Sequence, residues 1–341
     1  GPELYQADVD SQYLKKDVQA KPSIINLGFT EKADVPRGTV AFVGGKVITM
    51  ENDQVIDKGV VIVKDNHIVA VGDANTAIPK DAQVIDISGK SIMPGLFDAH
   101  AHGAQADDEI VPQQNWALYS GLSLGVTTIH DPSNDTTEIF AASEQQKAGN
   151  IVGPRIFSTG TILYGANAPG YTSHIDSLDD AKFHLERLKK VGAFSVKSYN
   201  QPRRNQRQQV IAAARELEMM VVPEGGSLLQ HNLTMVADGH TTVEHSLPVA
   251  NIYNDIKQFW GQTKVGYTPT LVVAYGGISG ENYWYDKTEV WKHPKLRTYV
   301  PMDELAPRSM RRPKAPENHY NHFNVVKTAK ELSDVGVVAN I

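Results

Sequence analysis

The sequence predicts an α/β fold with a parallel sheet, preceded by a smaller all-β region. From residue 95 to residue 341, short apolar segments alternate with stretches of helical periodicity, which is the pattern of βα units. From residue 39 to residue 92, short β-branched segments are separated by turn residues, as in antiparallel β structure. With 341 residues, the chain is long enough for one large core and a small appendage.

Composition argues against several classes of function. The net charge of −6 does not favour binding to nucleic acid or to anionic membranes. No apolar stretch approaches the length needed to cross a bilayer, so no transmembrane segment is expected. The chain has no cysteine, so a metal would need histidine, carboxylate or modified lysine ligands. The compartment stays open between the cytoplasm and a periplasmic or secreted location.

The predicted elements follow from these patterns. In the antiparallel region we expect strands at 40–43, 46–50, 59–63, 67–71 and 83–87, with a turn at Gly44-Gly45 and a hairpin at Asp65-Asn66. In the parallel region we expect strands at 96–102, 124–130, 155–158, 194–197, 219–224, 242–245, 265–270 and, incompletely, 337–341. Helices are expected after Asp135, from a capping box at Ser177, from Pro202 and over 319–335.

The segment from about 276 to 316 breaks this rhythm. It carries tryptophans, tyrosines and prolines without a clear period. Long βα loops usually shape the pocket of a barrel. We therefore expect a substrate-facing excursion, and the alternative is a packed loop without a function.

Two histidines one residue apart follow the turn at Pro94-Gly95. Residues i and i+2 of a strand face the same side, so a strand would present His100 and His102 together to one divalent ion. The alternative is a pair of ordinary polar histidines at a strand end.

The run Pro-Gly-Leu-Phe-Asp-Ala-His-Ala-His, which ends at His102, resembles the first barrel strand of the amidohydrolase superfamily. Thr-Val-Glu-His, which ends at His245, resembles the sixth-strand element of that family. The likeness runs from about Thr39 to Ile341 and is closest to the imidazolonepropionase-like and prolidase-like branch, of which some members are fused to a β-propeller.

This resemblance implies a domain organisation. Residues 93–341 would form a metal-dependent hydrolase with a TIM (β/α)8 barrel, incomplete at strand eight. Residues 39–92 would form a small composite β-sandwich, and residues 1–38 a linker or the remnant of a preceding domain. The aspartate that the family places at strand eight would lie beyond Ile341, so we expect a C-terminally truncated piece of a longer enzyme.

Catalytic groups of TIM-barrel enzymes lie at the C-terminal ends of the strands. The residue types at these ends give the expected metal ligands His100, His102, Lys197, Glu224 and His245, of which Lys197 and His245 are also the expected catalytic groups.

Two of these positions leave alternatives open. The resemblance implies a carbamate on Lys197 that bridges two metals, and the alternative is a lysine that reaches solvent or pairs with an acid. Glu224 stands where the family usually has a histidine, so either a carboxylate replaces the imidazole or the site holds a single metal. Glu244 is expected on the opposite face of its strand, in a supporting role.

The expected substrate contacts are tyrosines and histidines that follow the strands: His130, Tyr164, His174, Tyr199 and His231. For the histidines among them, the alternative is a hydrogen-bonded structural role.

The resulting hypothesis is hydrolysis of a C–N bond in an amide, peptide or cyclic amide by a metal-activated water. The cofactor would be one or two divalent ions, with zinc as the first choice. The substrate would be a small molecule or short peptide, and a homo-oligomer is compatible with the sequence. The alternatives are an ester, lactone or phosphotriester hydrolase on the same site, and a catalytically impaired barrel.

Overall fold

The computed structural model describes residues 3–7, 22–103, 105, 110–271, 280–309 and 315–340. The chain divides into two units, residues 1–34 and residues 35–341. In the first unit, β1 (Glu3–Gln6) pairs antiparallel with β2 (Ser23–Asn26), and the side chains of both strands are exposed.

Residues 39–92 form a single five-stranded sheet. Its strands are β3 (Thr39–Ile48), β4 (Val55–Lys64), β5 (His67–Gly72), β6 (Gln83–Asp86) and β7 (Ser91–Ile92). The strand β3 pairs antiparallel with β4 and parallel with both β6 and β7. The hairpin at Asp65-Asn66 is confirmed, with Asp65 at a φ of +55°. The composite sandwich stays a prediction.

The predicted turn at Gly44-Gly45 is wrong. Both glycines lie inside β3, and the register with β4 shifts on either side of Gly45. A β-bulge absorbs an extra residue without ending the ladder, so the glycines mark an irregularity within a strand. Two predicted strands are therefore one.

The second part of this unit is built on parallel strands, which confirms a mixed α/β fold. They are β8 (Leu96–Asp98), β9 (Val126–Asp131), β10 (Arg155–Ser158), β11 (Ile162–Tyr164), β12 (Thr172–His174), β13 (Ser195–Ser198), β14 (Met220–Pro223), β15 (Thr242–Glu244) and β16 (Gly266–Thr268). Their ladders run in the orders β10-β9-β8, β12-β11-β13-β14 and β15-β16, all with parallel pairing.

Further contacts connect these ladders in the order of the chain. The amide of Thr241 donates to the carbonyl of Val221, which joins the beginnings of β14 and β15. Ala339 forms a parallel bridge with Tyr267 of β16, so the segment predicted as strand eight contacts strand seven. The strands β11 and β12 were not predicted, because three-residue strands carry too little periodicity to be recognised.

The helices lie between the parallel strands. They are α1 (Trp116–Ser123), α2 (Thr136–Ala148), α3 (Leu178–Lys190), α4 (Arg204–Glu216), α5 (Leu229–Asp238), α6 (Asn254–Gly261), α7 (Gly280–Lys287), α8 (Pro294–Tyr299), α9 (Met302–Leu305) and α10 (His322–Ser333). Asp135 caps α2, and the capping box predicted at Ser177 is confirmed by its bond with Asp180. The start predicted at Pro202 is wrong, since α4 begins two residues later.

The described part of the aromatic segment forms short helices, so the expectation of an aperiodic loop is wrong there. The ring of Tyr283 in α7 stacks on His322 in α10, with centroids 5.5 Å apart and planes at 7°. Lys295 in α8 donates to the carbonyl of Ser123 in α1. These contacts favour a packed segment, and residues 272–279 and 310–314 lie outside the described residues.

The core lies between the parallel strands and the helices. One cluster gathers around Val196 of β13 and Leu185 of α3, and a second around Val243 of β15 and Trp260 of α6. Among the described residues, no helix combines the length and the apolar character needed to span a membrane. The two core clusters pack the helices against β13 and β15, the strands whose C-terminal ends carry candidate site residues.

Candidate metal centre

The two histidines of the His-x-His pair lie after β8, so their expected place on the strand is wrong. The strand ends at Asp98, whose Oδ1 accepts a hydrogen bond from the amide of His100 at 3.1 Å. Such a side-chain bond two residues ahead replaces the ladder with a turn. The rings of His100 and His102 nevertheless remain neighbours, with centroids 4.9 Å apart.

His100 is buried and oriented by a carboxylate. Its Nδ1 lies 2.6 Å from Oε2 of Glu244, and both side chains are almost fully buried. Because a carboxylate only accepts, Nδ1 carries a proton and donates it to Glu244. The other ring nitrogen, Nε2, is buried and has no hydrogen-bond partner among the described residues. A histidine that ligates a metal has this arrangement of its two nitrogens.

The backbone at His245 allows two adjacent residues to serve the same site. His245 has a φ of +67°, the left-handed conformation that non-glycine residues seldom adopt. Its amide donates to the carbonyl of Thr268 at 2.7 Å, which holds this turn. Side chains therefore no longer alternate between the two faces of the strand at this point. Glu244 contacts His100, and the ring of His245 lies 4.7 Å from that of His100. The expectation that Glu244 faces away from the site is wrong.

Glu224 joins Lys197 to His245. Its Oε2 lies 2.7 Å from Nζ of Lys197, and its Oε1 lies 2.7 Å from Nε2 of His245. The contact between Lys197 and Glu224 is an ion pair. Burial raises the pKa of Glu224, but the hydrogen bond from His245 and the charge of Lys197 outweigh it and hold that pKa at about 2. Glu224 is therefore an anion beside the buried amino group of Lys197.

Small and polar residues fix the turn that carries Glu224. A Cβ added at Gly225 would lie 1.8 Å from the carbonyl oxygen of Glu244, so only glycine allows the two backbones to approach this closely. The amide of Gly226 donates to Oδ1 of Asn232, and Nδ2 of Asn232 donates back to the Gly226 carbonyl. The Glu-Gly-Gly sequence is thus a structural requirement of the turn.

Asp131 is a site residue that the sequence reasoning missed. Its Oδ1 lies 3.8 Å from Nδ1 of His102, whose side chain is 54% exposed, while Asp131 itself is buried. It accepts hydrogen bonds from the amide of Ser133 and from the side chains of Asn134 and Gln105. Burial raises the pKa of Asp131 to about 6 despite these bonds. The available signal was an acid directly after His130 at a strand end.

The two predicted tyrosines lie together, and one of them, Tyr199, is influenced by the charge of Glu224. The rings of Tyr164 and Tyr199 are in edge contact, with centroids 5.3 Å apart. Burial raises the pKa of Tyr199, and the charge of Glu224 adds to this effect. These neighbours support keeping both tyrosines as predicted substrate contacts.

His130 is engaged by the protein through both ring nitrogens. Nδ1 donates to the carbonyl of Ala99 at 3.3 Å, and Nε2 accepts from the Ser195 hydroxyl at 2.8 Å. Burial lowers the pKa of this histidine. The geometry favours the structural alternative over contact with a substrate.

The remaining two histidines differ in their surroundings. His174 is largely exposed and lies 3.4 Å from the carboxylate of Asp176. His231 is partly buried, its Nε2 lies 3.2 Å from a guanidinium nitrogen of Arg207, and its ring approaches the position that a Cβ on Gly226 would occupy. His231 is therefore the one of the two that the fold brings to the Glu224 turn.

The side chains of this cluster bond directly to one another. Within the described ranges, no three His, Asp or Glu side chains are spaced as ligands around one point. His100 Nε2 nevertheless has no hydrogen-bond partner among the described residues, and its ring has the imidazoles of His102 and His245 as neighbours. Imidazole nitrogens with one carboxylate form a set that zinc accepts.

The fold and this cluster define a parallel α/β protein with a candidate metal centre at the strand ends. No family model matches the chain. Over 74 residues, which are 22% of this chain, it is 33% identical to an adenine deaminase of Methanococcoides burtonii. It is 26% identical to a dihydroorotase of Trichlorobacter lovleyi over 210 residues, or 60% of this chain. An imidazolonepropionase of Sphingopyxis alaskensis is 35% identical over 75 residues, which are 21% of this chain and 19% of that protein.

These matches are partial on both sides. The aligned part makes up 12% of the adenine deaminase and 46% of the dihydroorotase, so the chain spans less than half of either relative. A crystal structure of a prolidase complexed with N-methylphosphonate-L-proline superposes with a TM-score of 0.61 at 18% identity, covering 88% of this chain and 77% of that one. A bottromycin amidohydrolase gives a TM-score of 0.61 at 18% identity, with 90% and 68% covered.

At such identities the likeness to solved structures is one of fold alone. The partial sequence matches support the resemblance to the amidohydrolase superfamily.

Proposed function

We propose that this chain is the barrel part of a metal-dependent hydrolase that cleaves a C–N bond in a small amide, short peptide or cyclic amide. The ligands would come from His100, His102, Glu224 and His245, with Lys197 beside them. The observation that carries the proposal is the meeting of three imidazoles around a buried nitrogen without a hydrogen-bond donor, with a buried carboxylate bonded to one of them.

The residues of this chain would have distinct tasks. Glu244 would keep a proton of His100 on Nδ1, so that Nε2 would be the nitrogen that binds the metal. Tyr164 and Tyr199 would form one wall for the substrate. A divalent ion bound there would lower the pKa of a water molecule and polarise the carbonyl of the substrate.

A TIM barrel is the architecture that we propose for these strands. The parallel ladders follow one another in the order of the chain, and the candidate residues lie at the C-terminal ends of β8, β9, β13, β14 and β15. Active sites of this fold lie at that end. The bridge between Ala339 and Tyr267 supports an eighth strand beginning there.

The class of substrate is proposed from the relatives. The dihydroorotase, the imidazolonepropionase and the prolidase are hydrolases of C–N bonds. Each resembles this chain only in part, so the choice among peptide, cyclic amide and other amides needs a direct assay.

The test measures metal content and hydrolysis together. Purified protein would be analysed for bound zinc and manganese, then assayed with Xaa-Pro dipeptides, cyclic amides, aryl esters, lactones and phosphotriesters, with and without a chelator. His245→Asn should abolish turnover, and the control His67→Asn, at an exposed position in β5, should leave it unchanged.

Three outcomes have different meanings. Chelator-sensitive cleavage of amides supports the proposal. If only esters, lactones or phosphotriesters were cleaved, the proposed substrate class would be wrong and the proposed site would stand. Bound metal without any turnover would point to a catalytically impaired barrel, and a protein that takes up no metal would overturn the proposal.

A further inference from the structure

Two buried glutamines outside the candidate metal centre carry an inference that rests on the proposed function. Gln201 follows β13 and is 2% exposed, and Gln206 lies in α4 and is 0% exposed. Both bond to the backbone next to Tyr164, the last residue of β11. Burying a polar side chain costs stability unless its donors and acceptors are bonded, so the partners of these amides indicate what they are for.

The side-chain amide of Gln201 takes the place of a strand residue opposite Tyr164. Its Nε2 donates to the carbonyl of Leu163 at 2.8 Å, and its Oε1 accepts from the amide of Gly165 at 2.7 Å. In a parallel ladder, a residue bonds in this way to the residues before and after the one it faces. The ladder between β11 and β13 pairs Leu163 with Ser198. Gln201 therefore extends this ladder by one residue, to Tyr164.

The same glutamine is tied to Tyr199. The amide of Tyr199 donates to the carbonyl of Leu163 at 3.3 Å, and the carbonyl of Tyr199 accepts from the amide of Gln201 at 2.7 Å. The ring of Tyr199 meets that of Tyr164 with centroids 5.3 Å apart and planes at 87°. The turn that carries Gln201 thus holds the backbone of both tyrosines.

Gln206 holds the backbone on the far side of Tyr164. Its Nε2 donates to the carbonyls of Gly165 and Ile175, both at 3.2 Å. Gly165 begins the loop after β11, and Ile175 follows β12, which pairs with β11. A Cβ on Gly165 would lie 2.2 Å from the amide of Gln206, so this glutamine packs directly against the backbone of residue 165.

We propose that Gln201 and Gln206 are positioning residues for the substrate wall, the ring pair of Tyr164 and Tyr199. They hold the peptide groups beside Tyr164, and its ring therefore stays against that of Tyr199. A wall that binds the substrate equally in the ground state and the transition state contributes to KM and not to kcat. If the wall is intact in only a fraction of the chains, the apparent affinity falls by that fraction.

A glutamine that served only the stability of the fold would have a different kinetic effect. Its loss would reduce the amount of folded enzyme, which lowers the apparent kcat and leaves KM unchanged. The separation of KM from kcat therefore distinguishes the two roles.

The experiment measures both constants in two variants. Gln201→Met and Gln206→Met keep the length of the side chain and remove its polar atoms. With the Xaa-Pro dipeptide or cyclic amide that the wild-type chain cleaves, each should raise KM roughly fivefold or more and change kcat by less than about twofold. The matched control is Ser143→Ala, which removes a buried hydroxyl bonded to the carbonyl of Ile156 at 2.7 Å and should leave KM unchanged.

A second readout needs no substrate. The whole chain would be labelled with 3-fluorotyrosine, and the ¹⁹F signals of residues 164 and 199 would be assigned with Tyr164→Phe and Tyr199→Phe. Both signals should shift in Gln201→Met, because the contact between the two rings changes. The signal of residue 164 should also shift in Gln206→Met, and neither signal should move in Ser143→Ala.

The two readouts separate this inference from the proposed function. Shifted signals together with a raised KM support both. Shifted signals in a chain that cleaves no amide would support the role of the glutamines and count against the proposed function. Unmoved signals, or an unchanged KM with a lower kcat, would overturn the inference and leave the proposed function standing. If neither glutamine variant folded, the glutamines would serve the fold as a whole, and the inference would be overturned as well.

Discussion

His100 and His240 are both buried imidazoles whose Nε2 has no hydrogen-bond partner among the described residues. They differ in what holds Nδ1, since His100 faces the carboxylate of Glu244 and His240 faces only the carbonyl of Met235. They also differ in their neighbours, because His100 lies between two other imidazoles. Burial lowers the pKa of His240 to about 4, so it is a neutral core residue. Burial alone therefore does not distinguish the proposed ligand His100 from the core residue His240, whereas the partner of Nδ1 does.

The largest expected difference between the two histidines is in metal binding. His100→Gln should abolish retention of zinc after gel filtration, because it removes the lone pair at the centre of the cluster. His240→Gln, a change of the same kind in a buried residue of the same type, should retain zinc at the wild-type level. Metal analysis of both proteins checks this prediction. Equal retention of zinc by the two variants would contradict the proposed difference between His100 and His240.

The second difference is in the pH dependence of stability. The pKa of His240 lies at about 4 in the folded chain, below the ordinary value of 6.5, so the folded state resists protonation. Its contribution is fully present above pH 6.5 and is lost as the pH falls towards 4, by about 3 kcal/mol. In His240→Gln this loss should vanish. Urea unfolding of chelator-treated protein at pH 7 and pH 4 measures it, and equal losses for both proteins would contradict it.

The strands could be predicted because each is a short β-branched or apolar segment between turn residues. The segment 155–158 was predicted with the bounds that the structure has, and those at 194–197 and 219–224 within one residue. The pair β11 and β12 escaped prediction, since three residues give no period. The short helices between 280 and 305 escaped as well. Tyr283 stacks on His322 of α10 and Lys295 bonds to Ser123 of α1, and the local sequence does not record such contacts.

The residue types of the candidate site could be predicted from the sequence, but the contacts between its side chains could not. A histidine, a lysine and an acid at strand ends are visible in the sequence, whereas the bond of His100 to Glu244 joins positions 144 residues apart. The left-handed backbone at His245, whose ring lies beside that of His100, is likewise a feature that strand alternation cannot anticipate. Asp131 was missed for a similar reason, because it is marked by the approach of His102 from the segment that follows β8.

The third expected effect concerns the carboxylate that distinguishes His100 from His240. Glu244→Gln keeps the shape but removes the charge that fixes the proton on Nδ1 of His100. The affinity for zinc should fall roughly 10- to 100-fold, as is typical when the partner of a ligating histidine is lost. Competition with a chromophoric chelator measures this, with the exposed Glu216→Gln as the control. An unchanged affinity would show that His100 needs no such partner.

The smallest expected effect concerns the second histidine of the pair. His102 is half exposed and Asp131 lies 3.8 Å from its Nδ1, beyond a hydrogen bond, whereas Glu244 lies at 2.6 Å from His100. Asp131→Asn should therefore lower the affinity for zinc less than Glu244→Gln does, by less than about tenfold. The same chelator competition compares the two variants. If Asp131→Asn weakened zinc binding as strongly as Glu244→Gln, the prediction would be wrong. The distance between a histidine and its carboxylate would then not determine how firmly that histidine is held.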